Sequence, residues 1–230
     1  MTKGTTHKKY IACSLSWREG LGVKPAWFLL LVLALSFLAS CEEVEEASEY
    51  DNWQVRNEAY IDSLKQETGE IYVATEEQAQ LVEPGQLFAI RNVYASTNEK
   101  SQYIYCKKLV AADKTAERPL YTGSVTAYYY GTLINGESFD GNFTGYGALD
   151  QSIPLPPEKV PNDFESPSDF EVSGNIISGW TTVLQYMRKG ERWMIYIPWA
   201  SAYGSDGSSS GGIPGYSTLI FDILLTDVVN

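Results

Sequence analysis

The imidazoles, thiols and carboxylates from which proton shuttles and metal sites are mostly built number one, three and 29 in this 230-residue chain, set against 17 Lys and Arg. His7 and Cys13 both precede an apolar stretch at residues 26–39, AWFLLLVLALSFLA. That stretch follows Lys24 and is shorter than the ~20 residues of a spanning helix, so it reads as a signal-peptide core. The leader before it carries polar stretches, and a start near Val23 would shorten it. A chain cut behind the apolar core keeps no histidine. Cys41 then stands at its start and Cys106 is its one free thiol, which leaves no intramolecular disulfide. Ser-His and Cys-His pairs, His-ligated zinc and imidazole proton transfer are excluded, and a lone thiol builds no thiolate metal site. Neither a P-loop nor a G-x-G-x-x-G turn occurs. The chemistry open to the chain uses no metal, no cofactor and no histidine.

The segment Leu38-Ala39-Ser40-Cys41 resembles the lipobox of bacterial lipoproteins. The resemblance implies a signal peptide over 1–40, a cut before Cys41, and lipidation of the Cys41 thiol with diacylglycerol. It also implies a lipid-anchored protein of the cell envelope, at the periplasmic or surface face of the outer membrane. The cut removes Lys3, Lys8, Lys9, Arg18, Lys24 and Glu19, so the net charge moves from −12 to −16. Such a balance excludes nucleic acid as a partner, because phosphates need cations, and excludes docking on anionic lipid through a basic face. The acidic run EEVEEASEYD after Cys41 is a solvated spacer by composition. It also resembles the surface-export signals of Bacteroidetes-type lipoproteins.

Apolar residues at 44 % and aromatics at 13 % are enough for a packed core. Residues 41–85 read as an acidic tether and a short helix, and 86–230 as the globular domain. Over 51–67, Trp53, Tyr60 and Leu64 fall near one helical face, with Asp51 or Asn52 as cap and Gly69 as stop. Residues 71–90 mix short apolar pieces with Glu and a Pro-Gly pair, and are expected to be weakly ordered. Strand text follows in QLFAIRNVY, SQYIYCKKLVAA and SVTAYYYGTLI, and Asn135-Gly136 marks a turn. In the third of these, Val125, Ala127, Tyr129 and Gly131 share one face. Residues 141–169 hold Pro154, Pro156, Pro157, Pro161 and Pro167, a density that neither helix nor sheet interior accepts, so they form a long loop. In GWTTVLQYMRK, Trp180, Val183, Leu184 and Met187 give one apolar helix face, with Gly190 as left-handed cap. The strand RWMIYIP, a Gly/Ser-rich loop and the strand TLIFDILLTDVV complete an α+β domain of antiparallel strands packed on one short helix.

Four pieces now stand in order: YYYGTLINGESFD, NIISGWTTVLQYMRKGERWMIYIP, AYGSDGSSSGGIP and STLIFDILL. Together they resemble the FKBP-type peptidyl-prolyl cis-trans isomerases, over roughly the C-terminal half of the chain. The resemblance implies a twisted antiparallel sheet wrapped around one short helix, and isomerisation of proline-containing polypeptides. That reaction suits the inventory above. An X-Pro bond turns against a barrier of ~18–20 kcal/mol, and a catalyst need only bind the twisted amide better than the planar forms. Twisting breaks resonance and makes the amide less polar, so a dry aromatic cup with one or two carbonyl donors suffices.

By this resemblance Tyr129 and Phe139 are walls and Asp140 stands near the substrate carbonyl. Ile177 offers its backbone N–H, and Trp180 is the floor under the proline ring. Tyr203 donates its hydroxyl to a carbonyl, Phe221 is the far wall, and Ile213 flanks the pocket. Without it, Trp180, Phe139 and Phe221 read as plain core, and Asp140 and Tyr203 as turn and loop residues.

Three departures stand out. The span from Asp140 to Trp180 is far longer than minimal members need. The aromatic wall of that region falls to Phe170 or Phe164, because Ser168 and Asp169 occupy its place. The first basic residue after Asp140 is Lys159. The insertion widens the groove, covers it or docks a partner, which leaves a non-catalytic peptide- or protein-binding module as the alternative. A glycan-binding lipoprotein that uses exposed Tyr and Trp is a third.

Overall fold

A computed structural model describes residues 48–95, 102–150 and 158–230. The apolar leader, Cys41 and Pro154, Pro156 and Pro157 lie outside these residues. The elements are, in chain order, α1 (Trp53–Thr68), β1 (Tyr72–Val73), α2 (Glu76–Leu81), β2 (Leu87–Arg91), β3 (Tyr103–Val110), β4 (Ser124–Thr132), β5 (Ser138–Gly141) and β6 (Ser168–Glu171). They continue with α3 (Ser178–Leu184), β7 (Arg192–Ile197), a 3-10 turn (Trp199–Ser201) and β8 (Leu219–Val229). The strands make one sheet in the order β1-β2-β3-β7-β8-β4-β5, and β6 also pairs with β4. Every pairing is antiparallel except β1 with β2. This is the expected α+β architecture, an open antiparallel sheet with few short helices.

Alternation along β4, and along β8 as far as Leu225, gives the sheet two different faces. On β8, Leu219, Phe221, Ile223 and Leu225 enter the core around α3, with Val125 and Ala127 of β4 beside them. Ile220 joins a second core on the other face, with Leu64 of α1, Tyr105, Tyr146, Met194 and Tyr196. α3 lies tight against β7, since a Cβ on Gly179 would stand 2.5 Å from Cγ2 of Ile197. Only glycine permits that approach.

The helix expected to run on through Lys189 ends at Leu184. Beyond it the N–H of Lys189 donates to Glu117 O at 2.9 Å and that of Gly190 to Leu225 O at 2.7 Å. Those donors serve neighbouring segments, so the helical ladder cannot continue.

The weak order expected over 71–90 is not found: β1, α2 and β2 occupy it. α2 starts in a capping box, with Thr75 Oγ1 accepting from Gln78 N and the Gln78 side chain accepting from the Thr75 N–H. Its end is held from the sheet, where the buried Lys108 ammonium donates to Ala79 O at 3.0 Å and faces Glu191 at 3.4 Å. The capping box is local to TEEQ, whereas the Lys108 contacts are long-range and leave no mark on local composition.

α1 is likewise part of the body. Asn52 precedes it in left-handed backbone (φ 54°) without a side-chain cap, and Gly69 ends it at φ 61°. Its buried stripe is Trp53, Asn57, Leu64 and Thr68. Trp53 Nε1 donates to Ser217 Oγ at 2.9 Å, and Asn57 Oδ1 accepts from Thr218 N at 2.7 Å. Two polar side chains thus replace the apolar ones a spacing rule looks for.

Candidate functional site

Tyr129 reaches the α3 side of the sheet from the middle of β4, and Phe221 reaches it from β8. Between them stands Trp180, in the first turn of α3 and only 4 % exposed. Phe170 of β6 closes the ring. Trp180 meets Tyr129 at 5.6 Å, Phe170 at 5.1 Å and Phe221 at 5.2 Å between ring centroids, the first and last edge to face. Tyr129 and Phe170 touch edge to face at 5.5 Å. Such pairs carry ~0.5–1.5 kcal/mol each beyond their buried area, so the cup is pre-shaped. The Trp180 indole N–H is buried with no hydrogen-bond partner among the described residues.

The cup opens into a cavity of about 200 Å³ lined by Tyr129, Asp140, Phe170, Asn175, Ile176, Ile177, Trp180, Tyr203 and Phe221. Seven of the residues singled out from sequence therefore meet in one place: Tyr129, Asp140, Phe170, Ile177, Trp180, Tyr203 and Phe221. Phe139 is one layer back, edge to face with Phe221 at 5.3 Å. Gly131 makes room for both rings, because a Cβ there would be 2.6 Å from Phe139 and 2.8 Å from Phe221.

Ile213 does not line the cavity. It is 6 % exposed and packs in the core, where its N–H and carbonyl pair with Ser208 across a tight turn. The aromatic wall left open between two candidates is Phe170, whereas Phe164 is 98 % exposed. Asn175 and Ile176 were not foreseen. Their only signal is that they directly precede Ile177.

The polar groups of the cavity sit on its rim. Tyr129 Oη donates to Asp140 Oδ1 at 3.0 Å, and Gly141 N donates to the same oxygen at 2.8 Å. Burial first, then the Asp140 carboxylate, pushes the Tyr129 phenol up to about 12, so it stays a donor at physiological pH. The hydroxyl of Tyr203 and the N–H of Ile177 carry no hydrogen bond among the described residues, and both groups belong to cavity residues. Lys159 is not at this rim. It pairs with Asp150 at 2.8 Å.

The described limbs of the insertion, 141–150 and 158–167, reach the opposite face of the sheet. There Arg192 and Asp222 form a buried pair, with Nε to Oδ1 at 2.8 Å and Nη2 to Oδ2 at 2.5 Å. Asp222 also accepts from Tyr146 N at 2.8 Å, and Arg192 Nη1 donates to Lys159 O at 2.6 Å. The guanidinium lies 4.7 Å from the Tyr146 ring and 5.4 Å from that of Phe143. Both described limbs of the insertion are thus clamped to β7 and β8 away from the cup. Among the described residues no group of three or more His, Cys, Asp or Glu could hold a metal ion.

Residues 116–226 match the sequence model of the family described as FKBP-type peptidyl-prolyl cis-trans isomerase. The match spans 111 of the 230 residues and supports membership of that family. Among curated proteins, this chain is 28 % identical to "FKBP-type peptidyl-prolyl cis-trans isomerase FkpA" of Escherichia coli (strain K12), over 98 % of this chain and 73 % of that protein. It is 36 % identical over 114 residues to "Outer membrane protein MIP" of Legionella longbeachae, covering 50 % of this chain and 40 % of that one. Among solved structures, a peptidyl-prolyl cis-trans isomerase from Pseudomonas syringae pv. tomato aligns with a TM-score of 0.44 and 24 % identity, over 76 % of this chain and 96 % of the other.

Proposed function

We propose that the protein is a peptidyl-prolyl cis-trans isomerase that assists the folding of exported polypeptides in the cell envelope. The observation that carries this reading is the aromatic cup itself, gathered from β4, β6, α3 and β8 and rimmed by two unengaged donors. A proline ring rests on Trp180 between Tyr129, Phe170 and Phe221. The Tyr203 hydroxyl and the Ile177 N–H take the carbonyls of the bound chain, and Asp140, held by Tyr129 and Gly141, stands beside the reacting carbonyl. The planar amide is the more polar form, so transfer into an apolar hollow costs it more than the twisted form. No proton moves and no bond breaks, which matches a cavity without an acid–base pair.

The relatives named for FkpA and for an outer membrane protein support a location outside the cytoplasm. The reading includes a lipid anchor on Cys41, which lies outside the described residues. The test is isomerisation of short X-Pro peptides by wild type, Trp180→Ala and Tyr203→Phe. Wild type is expected to speed the reaction, Tyr203→Phe to lose roughly two- to ten-fold in kcat/KM, and Trp180→Ala to lose nearly all of it. Folded wild type that binds these peptides without speeding the reaction establishes the binding-module alternative.

A further inference from the structure

The cup draws on segments far apart in the chain, and one buried side chain ties two of them together. Asn92 follows β2 directly and is 6 % exposed. Its Nδ2 donates to Ser178 Oγ at 3.0 Å and to Ser201 Oγ at 2.8 Å. Its Oδ1 accepts from Thr182 Oγ1 at 2.7 Å and from Tyr94 N at 3.0 Å. Both donors and both lone pairs of the amide are used. The Tyr94 N–H fixes which end is oxygen, since a flipped amide would set donor against donor.

The partners matter because of where they sit. Ser178 opens α3, between cavity residues Ile177 and Trp180. Ser201 ends the 3-10 turn, two residues before Tyr203, and is fully buried. Ser178 Oγ also donates to Ser201 O at 3.1 Å, and Ser201 Oγ donates to Gln102 Oε1 at 2.7 Å. Tyr203 itself is 45 % exposed, so its own packing does little to hold it.

We infer that Asn92 is a positioning residue of the prolyl site: it fixes the spacing between the Trp180 floor with its Ile177 N–H and the Tyr203 hydroxyl. It touches no substrate and acts through Ser178 and Ser201. The inference rests on the isomerase reading for its kinetic consequence but not for its structural one. A buried network of this kind fixes one arrangement; truncation at Asn92 removes the bridge between Ser178 and Ser201 and takes the acceptor from the Tyr94 N–H, while Thr182 Oγ1 keeps Ser178 O at 2.9 Å.

The experiment pairs Asn92→Ala and Ser201→Ala with Tyr203→Phe in a double-mutant cycle. Alone, Asn92→Ala is expected to lower kcat/KM about five- to ten-fold, mainly through kcat, because the floor still binds the ring. In the Tyr203→Phe background that loss is expected to shrink to within about two-fold, since the group being aimed is gone. Additive losses overturn the inference. Ser201→Ala removes the bonds of the turn to Asn92 and Gln102, keeps that of Ser178 Oγ to Ser201 O, and stands in if Asn92→Ala does not fold.

A second readout needs no activity. Amide and ring resonances of Tyr203 and Ile177 are expected to shift or broaden together in either variant, with those of Trp193 and Phe88 unchanged. Unchanged Tyr203 and Ile177 signals overturn the inference whether or not wild type isomerises X-Pro peptides. An inactive wild type sinks the isomerase reading alone.

Discussion

Asp222→Ala separates the insertion's anchor from the cup. The substitution removes both charge-assisted hydrogen bonds to Arg192 and the acceptor of the Tyr146 N–H. Breaking a buried ion pair from one side costs ~3–5 kcal/mol, because the other charge stays buried. The structure places this variant at the low end. Arg192 keeps the Lys159 carbonyl at 2.6 Å and the faces of Tyr146 and Phe143. Arg192→Ala belongs at the high end, because the 0 % exposed Asp222 then keeps, among the described residues, the Tyr146 N–H as its hydrogen-bond donor. The expected losses are therefore ~3 kcal/mol for Asp222→Ala and ~4–5 kcal/mol for Arg192→Ala.

Urea unfolding gives both numbers from the midpoint at constant slope. In a thermal melt the smaller loss is a fall of roughly 6–12 °C. A double replacement, Arg192→Leu with Asp222→Leu, is expected to recover most of the loss, since buried pairs exchange for apolar residues at little net cost. In all three variants kcat/KM on X-Pro peptides is expected to stay within about two-fold of wild type while the protein is folded, because neighbours on a strand point to opposite faces. A loss below ~1 kcal/mol for Asp222→Ala would show the pair to be hydrated and the reasoning wrong. So would Arg192→Ala proving the milder of the two.

Gly131→Ala forces a methyl group into Phe139 and Phe221, so it is expected to destabilise by ~1–3 kcal/mol and to weaken peptide binding; calorimetric titration with an X-Pro peptide measures the second effect, and unchanged affinity counts against Phe221 as a wall. Alkali is expected to destabilise the fold: burial pushes the phenols of Tyr105 and Tyr129 up to about 12 and raises that of Tyr196. Unfolded phenols ionise near ~10, so between about pH 10 and 12 the unfolded chain sheds protons that the folded one keeps, and stability present below that window is lost as pH rises. A urea midpoint that stays flat across the window refutes this. Thr75→Ala removes the α2 capping box and is expected to cost ~0.5–1 kcal/mol, seen as faster amide exchange confined to α2 and β1.

What the sequence revealed follows the range of the interactions involved. β8 was readable because one face of TLIFDILL is buried without a break, and the Gly-Trp opening of α3 because a glycine there lets the helix approach Ile197. In residues 71–90 the one local signal is the Thr75–Gln78 capping box; the rest of their order comes from a parallel pairing of Tyr72 and Val73 with Ala89 and Ile90, and from the Lys108 ammonium on β3. Neither leaves a periodic trace in the segment itself. Ile213 was misplaced because a Gly/Ser-rich loop does not announce which way its one aliphatic turns. The pairing across Ser208 and Ile213, with Gly207 and Gly212 at positive φ, decides it. Asn92 gave no signal, since an asparagine after a strand usually reads as a turn residue.

The two-sided sheet also explains how a long proline-rich insertion and an open cup coexist. The insertion leaves the sheet after β5 and returns as β6, and both strands pair with the same edge of β4, at Tyr130–Thr132 and at Ser124–Ala127. Between these two pairings Tyr129 still faces Trp180, and its neighbour Tyr128 packs on Phe143 of the insertion. On β8 the same step separates Phe221, a wall of the cup, from Asp222, the anchor of the loop. A single-residue slip of β8 would put the Asp222 carboxylate into the cup and the Phe221 ring on the opposite face, burying a charge without its guanidinium. That penalty holds the register, so the buried ion pair on one face secures the aromatic surface on the other.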